Sequence, residues 1–314
     1  MNASSPPSPV LPLSLSALRR DIDSPAGHIS LYSAGPQDPI RGLPPLLLVH
    51  SINAAASAAE LAPLFEHYRQ QRPVYVLELP GFGFSNRSAR PYTPRLMTDA
   101  LHAALAVMKS EQGAAAADVL AVSLSSEFAA RAKDEAPQTI RRLALVSPTG
   151  FSGRKLRYGP AGGTLGLPWL HRLLTMDCWR QGIFDALTRP GVIRYFLKRT
   201  WGAEKIDETF WRYCWLTSRQ PGAANAALYF VSAFLFSSDI NQLYERLDGP
   251  VWVSMATRGD FTDYRGRHTV EGKKNWHFHA IEGGALPFFE DLPAFTKILD
   301  LFWDADLPSQ KIQH

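Results

Sequence analysis

Between residues 28 and 150, short apolar runs alternate with longer stretches in which apolar side chains recur every three or four positions. The runs Leu46 to Val49, Val74 to Leu77, Val119 to Val122 and Leu143 to Val146 are apolar on both faces, which predicts parallel strands buried on both sides of a sheet. Between them, Leu61, Leu64, Phe65 and Tyr68 share one helical face, as do Met97, Leu101, Leu105 and Met108. A third helix is predicted from about Leu124 to Ala136, stopping before Pro137. Ile29 to Tyr32 alternates and suits an antiparallel hairpin ahead of the parallel strands.

The rhythm breaks after Ser147-Pro148-Thr149-Gly150. Residues 151 to 247 hold five of the eight tryptophans and several helix-like stretches, without a clear parallel strand. It resumes with Val251 to Met255, His277 to Ile281 and a last helix from about Pro293 to Trp303. The pattern therefore predicts one α/β core, residues 19–150 and 248–306, interrupted after its sixth strand by a helical cap at 151–247. A disordered Pro/Ser-rich tail is expected at residues 1–18, without the basic start and cleavage site of a signal peptide.

Composition narrows the function classes. The 314 residues are 46% hydrophobic and 20% charged, enough to bury a large core. The net charge is +4, and the basic residues fall in scattered pairs, so no nucleic-acid footprint is present. Cys178 and Cys214 form neither a disulfide framework nor a zinc motif. The longest apolar run, Ala226 to Phe236, is too short to span a bilayer. A cytoplasmic protein without metal or organic cofactor is the expectation; oligomeric state has no signature in the sequence.

The segment Val119-Leu120-Ala121-Val122-Ser123-Leu124-Ser125 runs a strand straight into a helix with a serine at the junction. A nucleophile elbow has this form, and its strained turn needs small neighbours two residues away, here Ala121 and Ser125. Further landmarks follow the same order: Pro45-Leu46-Leu47-Leu48-Val49-His50, Leu79-Pro80-Gly81-Phe82-Gly83-Phe84-Ser85, Arg142 to Pro148, Val251 to Asp260, and Gly283-Gly284-Ala285-Leu286-Pro287. Gly81-Phe82-Gly83 could be read as a dinucleotide motif, but Asn86 stands where the third glycine belongs.

Over residues 28 to 303 the chain resembles the α/β-hydrolase superfamily. The resemblance implies a mostly parallel sheet flanked by helices, a lid, Ser123 as nucleophile and Asp260 as acid, with Asp263 as the fallback and a plain turn role for Asp260 as the alternative. It also implies an oxyanion hole from the N–H groups of Leu124 and Ile52, in a loop shaped by His50. Ser51 stands where the family keeps a glycine, and a serine at a position suited to positive φ is expected to be strained.

The base position in this resemblance falls on Ala285. A serine without a hydrogen-bonded base is a poor nucleophile at neutral pH. His277 and His279 lie on the strand itself, and His279 is six residues before Ala285, about 20 Å back along the sheet at strand spacing. His171 in the cap and His268 after Asp260 are the candidates for a displaced base. Arg258 could hold an anion or pair with a neighbouring acid. The cap aromatics, Trp201, Phe210, Trp211, Tyr213, Trp215, Tyr229, Phe230, Phe234 and Phe236, form either the cap's own core or the wall of an apolar pocket. Two functions remain: a hydrolase-like enzyme acting on a small apolar ester or acyl compound at Ser123, with a rearranged base, or a catalytically silent module of the same fold that binds a ligand or a protein. Peripheral membrane association through an apolar lid is a third.

Overall fold

The structure, a computed structural model, describes residues 9–36, 43–153 and 155–305. Among them, eight strands form one sheet: β1 (Leu18–Ile22), β2 (Ile29–Ala34), β3 (Leu46–Val49), β4 (Val74–Glu78), β5 (Ala117–Val122), β6 (Ile140–Val146), β7 (Val251–Ala256) and β8 (Trp276–Ile281). Their order across the sheet is β1-β2-β4-β3-β5-β6-β7-β8. β1 pairs antiparallel with β2, and β2 with β4; every other neighbouring pair is parallel. The two-sided burial read from sequence is literal, because every residue of β3, β4 and β5 is buried.

Helices α1 (Ala62–Tyr68), α2 (Pro94–Gln112) and α3 (Ser125–Glu135) follow β3, β4 and β5. The start of α2 shows why it begins where it does: the Thr93 side chain accepts the Leu96 N–H, and Pro94 occupies the first turn, where it forfeits no helical hydrogen bond. Gly113, at φ 59°, ends it in the left-handed conformation that favours glycine. Among the described residues, six helices lie between β6 and β7: α4 (Pro168–Leu174), α5 (Arg180–Leu187), α6 (Pro190–Trp201), α7 (Glu208–Ser218), α8 (Ala224–Val231) and α9 (Ile240–Arg246). α10 (Leu292–Asp304) closes the chain against β7, with Phe295 edge-on to Trp252.

Buried carboxylates and cations of α3 fasten this helical region. Glu127 accepts from Arg157 at 2.6 Å and from the Ser237 N–H at 2.7 Å. One turn on, Arg131 donates to Asp239 at 2.6 Å. The tail expected at 1–18 takes a different form over its described part, residues 1–8 lying outside the described residues. Pro12 and Pro9 present carbonyls to the Tyr213 hydroxyl (2.8 Å) and the Gln220 amide (2.8 Å) of the helical region. On the core side the Ser16 carbonyl accepts from Arg69, and Leu15 is buried. Proline carbonyls remain acceptors where its nitrogen has no proton to give, so a Pro-rich segment can still strap two surfaces.

Candidate functional site

Ser123 sits where β5 turns into α3, with φ 54°, in the left-handed region that costs a non-glycine residue about 1–2 kcal/mol. Its N–H donates to the Val146 carbonyl at 2.8 Å, and its own carbonyl accepts from Ser126 N–H at 3.1 Å. These bonds hold the strained turn. Ser125, two residues on, is small enough for the elbow and does more: its buried hydroxyl donates to the His50 carbonyl at 2.5 Å, tying α3 to the end of β3.

His50 is fully buried and committed at both ring nitrogens. Nε2 accepts the Leu79 N–H at 3.1 Å, so Nδ1 carries the proton and donates to the Ser51 carbonyl at 2.6 Å. Burial pulls its pKa down to about 4. The ring is a fixed strut of the loop and offers no nitrogen to Ser123.

The expected strain at Ser51 is absent, because among the described residues only Ser123, Ser147 and Ala233 have positive φ without being glycine. Ser51 is accommodated by Glu60, a residue the motif reading missed. The Ser51 N–H donates to Glu60 Oε1 at 2.8 Å and its hydroxyl to Oε2 at 2.5 Å. Glu60 is fully buried, and burial pushes its pKa up to about 7 against the pull of these hydrogen bonds. Glu78 is its counterpart under the Leu79 to Ser85 loop, accepting from the N–H groups of Ala58 (3.2 Å) and Phe84 (2.6 Å), with a pKa raised by burial to about 7. That contact explains Gly83: a Cβ there would lie 2.0 Å from the Glu78 carboxyl carbon. Ile52 and Leu124 are both buried, and neither N–H has a protein acceptor among the described residues.

The other half of the site is built differently. The last carbonyls of α6 need partners, and the loops after β7 and β8 supply them. The Asp260 N–H donates to the Arg199 carbonyl at 3.2 Å, and the Ala285 N–H to the Thr200 carbonyl at 2.9 Å. Three glycines permit this close approach. A Cβ on Gly284 would lie 2.4 Å from the Trp201 oxygen, one on Gly202 (φ 60°) 2.5 Å from the Gly259 nitrogen, and one on Gly259 (φ 84°) 2.6 Å from the Arg199 oxygen. Ala285 is 5% exposed and held on its other side by the Ser147 hydroxyl, which donates to its carbonyl at 3.0 Å.

The Asp260 side chain turns to the surface, where both its oxygens accept from the Arg199 guanidinium, at 2.5 and 2.9 Å. A helix C-terminus carries partial negative charge, so a carboxylate placed beside it gains from that cation. Asp263 pairs with Arg265, and Arg258 with Glu290, whose Oε1 also accepts the Gly284 N–H at 2.8 Å. His171 holds Ser232 at 3.0 Å and packs 4.0 Å from the Tyr229 ring; His268 is exposed and bonded to the Arg265 carbonyl. His279 stacks on Trp252, and His277 lies 6.0 Å from the Phe302 ring. None of these contacts reaches Ser123.

A cavity of about 730 Å³ opens beside the site. Its walls run from Pro148 to Gly150, through Leu156 to Gly159, and across to Phe236 and Asp260. Ser123 is not in its lining, although Thr149, which is, donates its N–H to the Ser123 carbonyl at 3.5 Å. The cavity lies at the ends of β6 and β7. Of the cap aromatics, Trp201, Phe210 and Tyr213 are buried in the core, whereas Phe236 lines this cavity.

Solved structures similar to this chain share its layout. A probable hydrolytic enzyme from Pseudomonas aeruginosa superposes with a TM-score of 0.69 at 18% identity, covering 92% of this chain and 94% of the other. A serine hydrolase involved in carbazole degradation gives 0.69 at 12% identity, covering 92% and 100%. A carboxylesterase from Bacillus subtilis gives 0.64 at 15%, covering 91% of each. The chain has the α/β-hydrolase fold. By sequence it matches no protein-family model and no curated protein. Within this layout Ser123 stands between β5 and α3, while the loops after β7 and β8 are engaged by α6.

Proposed function

We propose that this protein binds a small apolar acyl- or ester-type compound under the cap at residues 151–247 and does not hydrolyse it. One observation carries the reading: the two loops that would present the acid and the base instead cap the C-terminal carbonyls of α6. Without a base, Ser123 keeps the modest nucleophilicity of an alcohol, and a site lacking a triad member retains only about 10³ to 10⁴-fold catalysis over water. The cavity suits such a ligand, with Leu156, Phe236 and Tyr264 on its walls and the Lys155 ammonium available to an acyl oxygen.

A second reading, slow acyl transfer at Ser123, has its own support in the retained φ of 54° and the two unengaged N–H groups of Ile52 and Leu124. The two readings separate with a fluorophosphonate probe read by mass spectrometry. Binding without hydrolysis predicts no adduct on Ser123 and turnover of p-nitrophenyl butyrate equal to that of Ser123→Ala, with the intact ester still detected bound by ligand-observed NMR. Labelling of Ser123 at the pace of ordinary serine hydrolases would overturn it. Ala285→His alone is expected to leave turnover unchanged, because Asp260 stays with Arg199.

A further inference from the structure

The segment from Leu165 to Trp179 covers α4 and its flanks and keeps much of its apolar surface in solvent. Trp169 is 67% exposed, and Leu165, Leu167, Leu173, Met176 and Trp179 are each 40% exposed or more. They form one ridge. Trp169 and Leu173 are four residues apart on α4, the Trp179 indole donates to the Leu173 carbonyl at 2.7 Å, and the Leu167 N–H donates to Ser232, beside the exposed Val231. Exposed apolar surface of this extent marks an interaction site, and single scattered side chains do not.

Charge selects the partner. Residues 151–200 carry nine Lys and Arg against two Asp, a net charge of +7 against +4 for the whole chain, so the remainder of the protein is −3. Arg157, Arg194, Lys198 and Arg199 spend their charge on carboxylates elsewhere. Lys155, Arg172 and Arg189 are exposed and have no carboxylate partner among the described residues, and Arg172 stands between Trp169 and Leu173 on α4 itself. Asp177 is the acidic residue within the ridge. Exposed tryptophans and leucines interleaved with unpaired cations are the composition of a surface that lies in the headgroup layer of an anionic bilayer. Among the described residues no helix is long and apolar enough to cross a membrane, and the contact proposed is peripheral.

We propose that this ridge docks the protein on an anionic lipid surface, with Trp169 and Trp179 entering the headgroup layer and Arg172 meeting lipid phosphates. The ridge continues to the cavity rim, where Tyr158, Leu165 and Phe261 are all exposed and all line the cavity. Docking would turn that mouth toward the lipid. The docking stands whether or not the cavity holds a ligand.

The test is co-sedimentation of the full chain with vesicles of phosphatidylcholine alone and of equal parts phosphatidylcholine and phosphatidylglycerol, with tryptophan emission recorded alongside. Binding to the anionic vesicles, weakened by salt and accompanied by a blue shift, is expected. Trp169→Ser combined with Trp179→Ser should lower affinity on the order of tenfold, and Arg172→Glu should lower it on anionic vesicles. Both variants change exposed side chains, and an unchanged thermal melt establishes that they fold. Binding to neither vesicle type, equal binding by the double Trp variant, or a stable dimer in sedimentation velocity that the same variant abolishes would each overturn the proposal, the last because a second copy then covers the ridge.

Discussion

On one side of Ser123, the candidate site is held by bonds within the core: Ser125 to His50, His50 to Leu79, Ser51 to Glu60. On the other side, the loops after β7 and β8 are held by bonds to α6, through the carbonyls of Arg199 and Thr200. The first half rests on bonds among core segments, the second on the placement of α6. The difference shows that a loop can be fixed through its backbone alone. Asp260 and Ala285 still stand after β7 and β8, and their backbone N–H groups, which any residue has, now complete a helix end.

The largest effect should come from attacking the second half. Gly284→Val places a side chain against the oxygens of Thr200 and Trp201 and should cost about 3 kcal/mol in urea unfolding, at the upper end for overpacking. An unchanged midpoint would mean that α6 is not docked there.

Glu60 tests the first half through pH. Its pKa is raised from 4.5 to about 7, so between these values the folded protein keeps a proton that the unfolded chain has lost. Its contribution is therefore complete below 4.5, falls by about 1.4 kcal/mol per pH unit as pH rises, and is gone above 7. Glu78 shifts the same way, and His50, with its pKa lowered, acts oppositely between 4 and 6.5. Glu60→Gln should remove one proton's worth of that slope, read from unfolding at two pH values within the window. A slope identical to the parent would mean that Glu60 is solvated.

Ser123→Gly probes the turn between β5 and α3 through stability. Relief of the left-handed strain should raise stability by about 1 kcal/mol; a loss would mean that the hydroxyl carries a structural bond. The smallest effect belongs to Arg199→Gln. Its ion pair with Asp260 is exposed, and the melting temperature should hardly move, whereas a large drop would make the side chain, and not the backbone cap, the anchor of α6.

Most of the fold was legible because buried parallel strands write themselves as unbroken apolar runs, and the elbow because a strand-serine-helix junction is local. The places of Asp260 after β7 and Ala285 after β8 were legible for the same reason. What α6 does there was not, since hydrogen bonds from Asp260 and Ala285 to carbonyls some sixty and eighty residues earlier leave no side-chain signature. The three glycines at 202, 259 and 284 were the available signal, and glycine has many other uses. Glu60 was hidden by its type: a carboxylate nine residues after Ser51 reads as a solvated face until burial is known. The tail misled through composition, because proline and serine suggest disorder although their carbonyls can still accept.

That N-terminal strap has a mechanical consequence. Residues 9–16 bridge α7 and the core, so tension applied at their N-terminal side meets the Gln220 and Tyr213 contacts in turn before it reaches β1. Those contacts would open one at a time, in a peeling geometry, whereas the paired residues of β1 and β2 resist as a ladder. A force trace should therefore begin with small early yields that free α7 while the sheet stays closed.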